Sequence, residues 1–148
     1  IFSDLTVEEN LLVGIKSGTR KDNAFWTVER FYELYPEIAD RSNQRGGHLS
    51  GGEQQILTIG RTLMGNPDLI LIDEPTEGLA PLLAERIFRM LKEIRASGAS
   101  ILLVDNSISD VLDLSSRVYV ISKGEIVFEG SPGQFSADDN IRIKYLEV

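Results

Sequence analysis

Residues 49–55, Leu-Ser-Gly-Gly-Glu-Gln-Gln, and residues 69–75, Leu-Ile-Leu-Ile-Asp-Glu-Pro, are the two stretches that decide the fold of this 148-residue chain. The first predicts a helix extending to about Met64, because Ser50 and Glu53 have the spacing of a capping box. Free N–H groups and the helix dipole make such a helix start an anion site, and glycine lets a phosphate approach the backbone closely. An ordinary capped helix has the same pattern, so this stretch alone leaves both interpretations open.

The second stretch predicts a buried strand over Leu69–Ile72, because no polar residue alternates within it. Asp73 and Glu74 follow directly at the end of this strand. Phosphoryl transfer needs a carboxylate that holds Mg²⁺ and a group that orients or deprotonates the attacking water. Asp73 suits the metal role and Glu74 the role of the base. Two solvated acids at a strand end are the alternative interpretation.

The chain beyond residue 66 alternates between helices and apolar strands. Pro81 starts a predicted helix that ends at Gly98, and Ile101–Val104 is a second continuously apolar strand. Strand, helix and strand in this order predict a parallel sheet covered by helices on both faces. We therefore expect an α/β fold over residues 67–148.

A β-hairpin is predicted after this sheet, because Lys123-Gly124 separates two short apolar runs, Val118–Ile121 and Ile126–Phe128. Three short helices complete this part of the predicted fold. They are Asp110–Leu114 and the two terminal helices that begin at Ser131 and at Asp138.

The first part of the chain, residues 1–66, is predicted to be a helical subdomain. Helical patterning extends from Asp4 to about Tyr35 and begins with a capping box formed by Thr6 and Glu9. A polar break interrupts the pattern at Gly18–Asn23. The pattern ends at Pro36, and a polar loop over Asp40–Gly47 follows.

Composition excludes several classes of protein. The chain has no cysteine and a single histidine, His48, which excludes disulfide scaffolds, thiolate nucleophiles and cysteine-ligated zinc. Its formal net charge of −8 argues against nucleic acid as a partner, since nucleic acids select basic surfaces. No apolar run is long enough to span a bilayer, and no signal peptide is evident. We expect a soluble, cytoplasmic chain with His48 on a loop surface.

The two stretches together, separated by one helix, resemble the nucleotide-binding domain of ATP-binding-cassette (ABC) transporters. Leu49–Gln55 matches the family signature, Leu69–Glu74 matches Walker B, and Val118–Gly130 resembles the C-terminal hairpin. The resemblance implies a partial P-loop NTPase fold, with ATP and Mg²⁺ as cofactors. Within the family, Thr6–Leu11, Glu77–Pro81 and Ile126–Gly130 look like the importers of branched-chain amino acids, although urea and short-amide importers share much of this pattern.

The phosphate loop of the family is missing from this sequence. It requires Gly-Lys-[Ser/Thr] after a strand, and none of the 13 glycines is followed by lysine. We therefore expect the upstream half of the ATPase core to be absent, and the isolated chain to neither bind ATP tightly nor hydrolyse it. Two further positions depart from the family pattern: Asn106 stands where a switch histidine is usual, and Ala80 replaces the usual D-loop aspartate.

The resemblance also implies roles for individual residues. Family members work as head-to-tail dimers, in which the signature of one subunit completes the ATP site of the other. The expected ATP-binding residues are Leu49, Ser50, Gly51, Gly52 and Glu53. Of these, Ser50, Gly51 and Gly52 would contact the γ-phosphate of ATP that a partner subunit binds. Asp73 would hold Mg²⁺, Glu74 would be the catalytic base, and Asn106 would also be catalytic at the switch position.

The expected partners are a second ABC ATP-binding subunit and the permease subunits, which would place the chain at the inner face of the membrane. Loss of the upstream strands would expose sheet edges, so self-association is also expected. Trp26 and Tyr35 are either permease contacts or members of a small helical core. Two alternatives to an importer subunit stay open: a non-enzymatic pairing or regulatory module, and a non-functional truncated copy.

Overall fold

The structure is a computed structural model that describes residues 1–16 and 25–146. The predicted break at Gly18–Asn23 lies outside the described residues. The helices are α1 (Val7–Val13), α2 (Val28–Leu34), α3 (Pro36–Ala39), α4 (Gly51–Leu63), α5 (Pro81–Ala96), α6 (Ile108–Leu114), α7 (Pro132–Ala137) and α8 (Asp139–Leu146). The strands are β1 (Leu69–Asp73), β2 (Ser100–Val104), β3 (Val118–Ser122) and β4 (Glu125–Gly130).

The described chain forms two compact units, Ile1–Val104 and Asp105–Val148. The first contains helices α1 to α5 and the sheet of β1 and β2. The second contains the hairpin of β3 and β4 with its three short helices. The division of the chain at residues 66 and 67, which rests on sequence pattern, stays a prediction about domains. No helix of the described residues is long and apolar enough to cross a bilayer.

Both capping boxes predicted in the first unit are confirmed. Thr6 accepts a hydrogen bond from the N–H of Glu9 at 3.1 Å, and the Glu9 carboxylate accepts one from the N–H of Thr6 at 2.8 Å. Ser50 and Glu53 make the same reciprocal pair at the start of α4. Local side-chain chemistry therefore fixes where α1 and α4 begin.

Pro36 has a different role from the predicted one. Helix α2 does end before it, but Pro36 is also the first residue of α3, where its missing N–H costs nothing and its fixed φ suits a helix. The following loop contains a short 3₁₀ helix, Gly46–His48, instead of being wholly irregular. His48 is exposed there, as predicted.

Helix α4 is the packing centre of the first unit, and glycines allow its close contacts. A Cβ at Gly60 would lie 2.4 Å from the Phe31 ring of α2, and a Cβ at Gly52 would lie 2.4 Å from Leu83 of α5. A Cβ at Gly14, directly after α1, would lie 2.0 Å from the backbone carbonyl oxygen of Arg61. Three elements therefore approach α4 more closely than any side chain at these glycines would permit.

Strands β1 and β2 pair in parallel, as predicted, with Ile70 opposite Ile101 in the register. The prediction that both strands are buried is wrong. Leu69, Leu71, Leu102 and Val104 are 56, 70, 55 and 55% exposed, whereas Ile70 is 4% exposed. Alternate side chains of a strand point to opposite faces of the sheet, and within the described residues one face of this sheet is open. Helices therefore cover one face and not both.

The second unit is built around the predicted hairpin. Lys123 and Gly124 both have positive φ, at 51° and 83°, as a two-residue turn with this strand twist requires. Phe128 and Phe135 contact each other edge to face at 5.7 Å between ring centroids, and Phe135 is 1% exposed. This aromatic pair supplies the core between the hairpin and α7.

Gly60→Ala should lower the free energy of unfolding by about 1–3 kcal/mol, because its methyl group would overlap the Phe31 ring. Gly51→Ala is the matched control on the same helix, since a Cβ there meets nothing within 4 Å. Its effect should stay within about 0.5 kcal/mol. Urea unfolding followed by circular dichroism compares the two. Equal effects would contradict the close packing of α2 on α4.

Candidate functional site

The segment Leu49–Glu53 forms a capped helix start with two exposed residues at its tip. Leu49 is buried, with its residue only 6% exposed, and it anchors the segment in the core. Ser50 is the N-cap of α4, and both Ser50 and Gly51 are exposed. Helix starts in general present backbone N–H groups that can donate to an anion, although those of Ser50 and Glu53 are engaged in the capping box. Open space around Gly51 leaves room for that anion next to the backbone.

The two glycines of this segment differ in their surroundings. Gly51 faces solvent, whereas Gly52 is buried and its Cα faces the side chain of Leu83 in the first turn of α5. Gly52 therefore serves helix packing in this structure, and Gly51 is the glycine that an incoming ligand can reach. The sequence motif does not distinguish these two roles.

Glu53 joins the helix start to the preceding loop. Its Oε2 accepts hydrogen bonds from the N–H of Ser50 at 2.8 Å and from the Ser50 hydroxyl at 2.7 Å. Its Oε1 forms an ion pair with Nε of Arg41 at 2.9 Å. Burial would raise the pKa of the Glu53 carboxyl, but the hydrogen bonds from Ser50 and the charge of Arg41 outweigh burial and hold the pKa below its ordinary value.

The loop before α4 is held by further hydrogen bonds. Nε2 of Gln54 donates to the carbonyl of Leu49 at 3.1 Å, and Nε2 of Gln44 donates to the carbonyl of His48 at 3.0 Å. The N–H of Val7, in α1, donates to the carbonyl of Gln44 at 2.9 Å. The loop is thus tied both to the helix that follows it and to α1.

The pair Asp73 and Glu74 lies at the carboxyl end of the parallel sheet. Asp73 is the exposed last residue of β1 and stands opposite Val104 in the register. Glu74 has a φ of +43°, in the left-handed region, and its N–H donates to the carbonyl of Val104 at 2.7 Å. A non-glycine residue held in this conformation is strained, and such strain is concentrated at functional sites. Ligand sites in open α/β sheets also lie at this edge.

Asn106 lies in the second unit, where it is exposed in the loop that precedes α6. The N–H of Ser107 donates to the Asp105 carboxylate at 2.8 Å, and the Ser107 hydroxyl donates to Asp110 at 2.5 Å. Both neighbours of Asn106 are therefore engaged locally. Within the described residues, no group of three or more His, Cys, Asp or Glu side chains could hold a metal ion.

The two aromatic residues considered as permease contacts are members of the helical core. Trp26 is 4% exposed and Tyr35 is 7% exposed. Asn66 brackets Trp26 by accepting from its N–H at 2.8 Å and donating to its carbonyl at 2.9 Å. Burial, with the nearby charge of Glu93, raises the pKa of Tyr35 to about 12, so its phenol is neutral.

The sequence pattern did not predict two polar contacts of this region. The ion pair of Arg41 with Glu53 spans a loop and has no periodic signal in the sequence. Asn10 is fully buried in α1, where Oδ1 accepts from the N–H of Phe2 at 2.8 Å and Nδ2 donates to the carbonyl of Thr6 at 2.9 Å. An asparagine beside the apolar stripe of a helix was the available signal for a buried polar anchor.

A capped helix start and an acidic strand end, within one helical and α/β unit, define the class of nucleotide-binding cassettes. A sequence model of the family described as ABC transporter matches residues 1–77 of this chain, and this range contains both motifs. The chain belongs to the ABC transporter family. The resemblance noted in the sequence is thereby confirmed.

Curated relatives include an importer component and an exporter component. The chain is 40% identical over 146 residues to the high-affinity branched-chain amino acid transport ATP-binding protein BraG of Pseudomonas aeruginosa, covering 99% of this chain and 62% of the relative. It is 31% identical over 152 residues to the lipopolysaccharide export system ATP-binding protein LptB of Escherichia coli, covering 99% of this chain and 61% of the relative. The chain thus spans about three fifths of the length of these relatives.

Solved structures show the same fold. A nucleotide-free ATP-binding cassette from an ABC transporter superposes with a TM-score of 0.74 at 29% identity, covering 99% of this chain and 64% of that chain. The fold of the chain is therefore a partial ABC ATPase fold. This confirms the predicted fold class.

Glu53→Gln should reduce stability by about 1 kcal/mol at pH 7. The ionised carboxylate has a lowered pKa in the folded chain, so its stabilisation is fully present above the ordinary value of 4.5 and declines as the pH falls through the lowered value. The difference in unfolding free energy between wild type and Glu53→Gln should therefore shrink towards pH 3. Urea unfolding at both pH values measures it, with the exposed Glu33→Gln as control. A difference in unfolding free energy that does not change with pH would contradict the stabilising role of the ionised Glu53 carboxylate.

Proposed function

We propose that the chain is the part of an ABC ATP-binding subunit that contains the signature helix and the Walker B strand, in an importer of branched-chain amino acids or similar small polar solutes. The observation that carries this proposal is the exposed helix start at Ser50 and Gly51, in a chain 40% identical to a branched-chain amino acid transport ATP-binding protein. The identity to the lipopolysaccharide export relative is lower, at 31%, which favours the importer class.

Ser50 and Gly51 act on ATP that a partner subunit binds. The Ser50 hydroxyl and the N–H groups of the first turn donate hydrogen bonds to the γ-phosphate, and the dipole of α4 adds favourable electrostatics. Leu49 and Gly52 hold this helix start in place from the buried side. Glu53 sets the orientation of the Ser50 hydroxyl.

Asp73 and Glu74 serve ATP that is bound to their own subunit, and Asn106 is the residue at the switch position. The exposed carboxylate of Asp73 would hold Mg²⁺, and the ion would offset the charge of the phosphates. Glu74 orients the attacking water and accepts its proton. Asn106 donates and accepts hydrogen bonds at the switch position but cannot become cationic as histidine can.

A complete ATP site requires a phosphate loop that these 148 residues do not contain, since none of their glycines precedes a lysine. The proposed partners are a second ABC ATP-binding subunit and the permease subunits at the membrane. The open apolar face of the β1–β2 sheet also favours self-association of the chain, because exposed apolar sheet surface recruits a covering surface.

ATP hydrolysis with and without a phosphate loop tests this proposal. The 148-residue chain alone should show no Mg²⁺-dependent turnover. A chimaera in which the phosphate-loop part of a family member precedes Ile1 should hydrolyse ATP, and Glu74→Gln should lower its turnover by a factor of roughly 10²–10⁴. Glu77→Gln, at an exposed acid three residues further on, is the control and should have little effect.

Either of two results would contradict the proposal. Robust turnover by the chain alone would show that no separate phosphate loop is needed. Unchanged turnover of the chimaera with Glu74→Gln would remove Glu74 as the base.

A further inference from the structure

Ser50 gives both of its hydrogen-bond donors to one carboxylate. Its N–H and its hydroxyl both donate to Oε2 of Glu53, at 2.8 and 2.7 Å, and the N–H of Glu53 donates back to the Ser50 hydroxyl oxygen at 3.4 Å. The exposed tip of α4 therefore already has an anion of its own. A phosphate that binds here competes with Glu53 for the Ser50 hydroxyl.

Arg41 holds the opposite oxygen of the same carboxylate. Its Nε lies 2.9 Å from Oε1 of Glu53, and its Nη1 donates to the side-chain oxygen of Gln44 at 3.1 Å. The side chain of Glu53 is 18% exposed and that of Arg41 is 46% exposed. Glu53 is thus partly shielded from solvent, where salt screens charges less than at the open surface, whereas Arg41 is exposed.

The charge of Glu53 opposes an incoming phosphate unless it is balanced. The Glu53 carboxylate and a bound phosphate are both negative and repel each other, and the repulsion is stronger at a partly buried site than in bulk water. The guanidinium of Arg41 supplies the balancing charge and fixes the carboxylate by one oxygen. Oε2 of Glu53 can then lose its hydrogen bond from the Ser50 hydroxyl, while Oε1 keeps its ion pair with Arg41.

We propose that Arg41 is a positioning residue for the signature site. It orients Glu53 and neutralises its charge, so that the Ser50 hydroxyl can donate its hydrogen bond to a γ-phosphate instead of to the carboxylate. This inference rests on the proposed function, because that function supplies the phosphate. Arg41 lies outside the segment Leu49–Glu53 and acts on the ligand only through Glu53.

Pairing with an ATP-loaded partner tests this role. The 148-residue chain is titrated into BraG of Pseudomonas aeruginosa loaded with Mg²⁺ and a non-hydrolysable ATP analogue, and the dissociation constant is measured by sedimentation. Arg41→Ala should weaken nucleotide-dependent pairing on the order of fivefold, and Arg41→Lys should restore most of the loss. Arg45→Ala is the control, since it removes the same charge from an exposed position of the same loop.

A double-mutant cycle separates positioning from simple loss of structure. In the background of Glu53→Gln, which has no carboxylate charge to neutralise, Arg41→Ala should have almost no further effect on pairing. An equal loss in both backgrounds would overturn the inference, as would equal effects of Arg41→Ala and Arg45→Ala. If the wild-type chain pairs no better with analogue than without it, the proposed function fails, and the inference fails with it.

Discussion

The close packing around helix α4 is the constraint on which the first unit depends. Glycines stand where α2 and α5 meet α4, and a third glycine lets the end of α1 rest on the Arg61 carbonyl. Protein cores leave little free space, so these contacts restrict the position of the α4 axis. Because Ser50 begins the same helix, its position follows from this packing. The exposed start of α4 is thus positioned by the packing of the rest of the helix.

The loop before α4 completes the placement of the helix start. Its backbone is tied to α1 through Gln44 and Val7, and its side chains reach Glu53 through Arg41. The N-terminal segment is fixed in turn by the buried Asn10, which satisfies backbone groups of Phe2 and Thr6. A continuous set of hydrogen bonds therefore connects α1, the loop and the signature. Burying polar groups in this way is favourable only when each has a partner.

Local signals in the sequence predicted the starts of α1 and α4 and the hairpin correctly, whereas α6 begins at Ile108, two residues before the predicted Asp110. A capping box and a Lys-Gly turn depend on residues within a few positions of one another, so the sequence pattern contains nearly all of the relevant chemistry. Burial is different, because it depends on neighbours distant in sequence. Leu69–Ile72 has the pattern of a buried strand, yet Leu71 is 70% exposed in a two-stranded sheet.

The candidate site was predictable in part for the same reason. Motif spacing alone selected Ser50, Asp73 and Glu74 as candidate site residues. It did not show that Gly52 packs against Leu83 while Gly51 is open, that Glu74 adopts a left-handed backbone conformation, or that Arg41 pairs with Glu53. Each of these three features arises from the meeting of separate elements, which no local pattern records.

We propose, as the central claim, that these 148 residues contribute a signature half-site and do not by themselves form a complete ATP site. Calorimetric titration of the 148-residue chain with Mg-ATP tests this claim most directly. A capped helix start without a phosphate loop should give no measurable heat of binding at micromolar protein. Saturable binding with a micromolar dissociation constant would contradict the claim, because it would mean that these residues already form a complete ATP site.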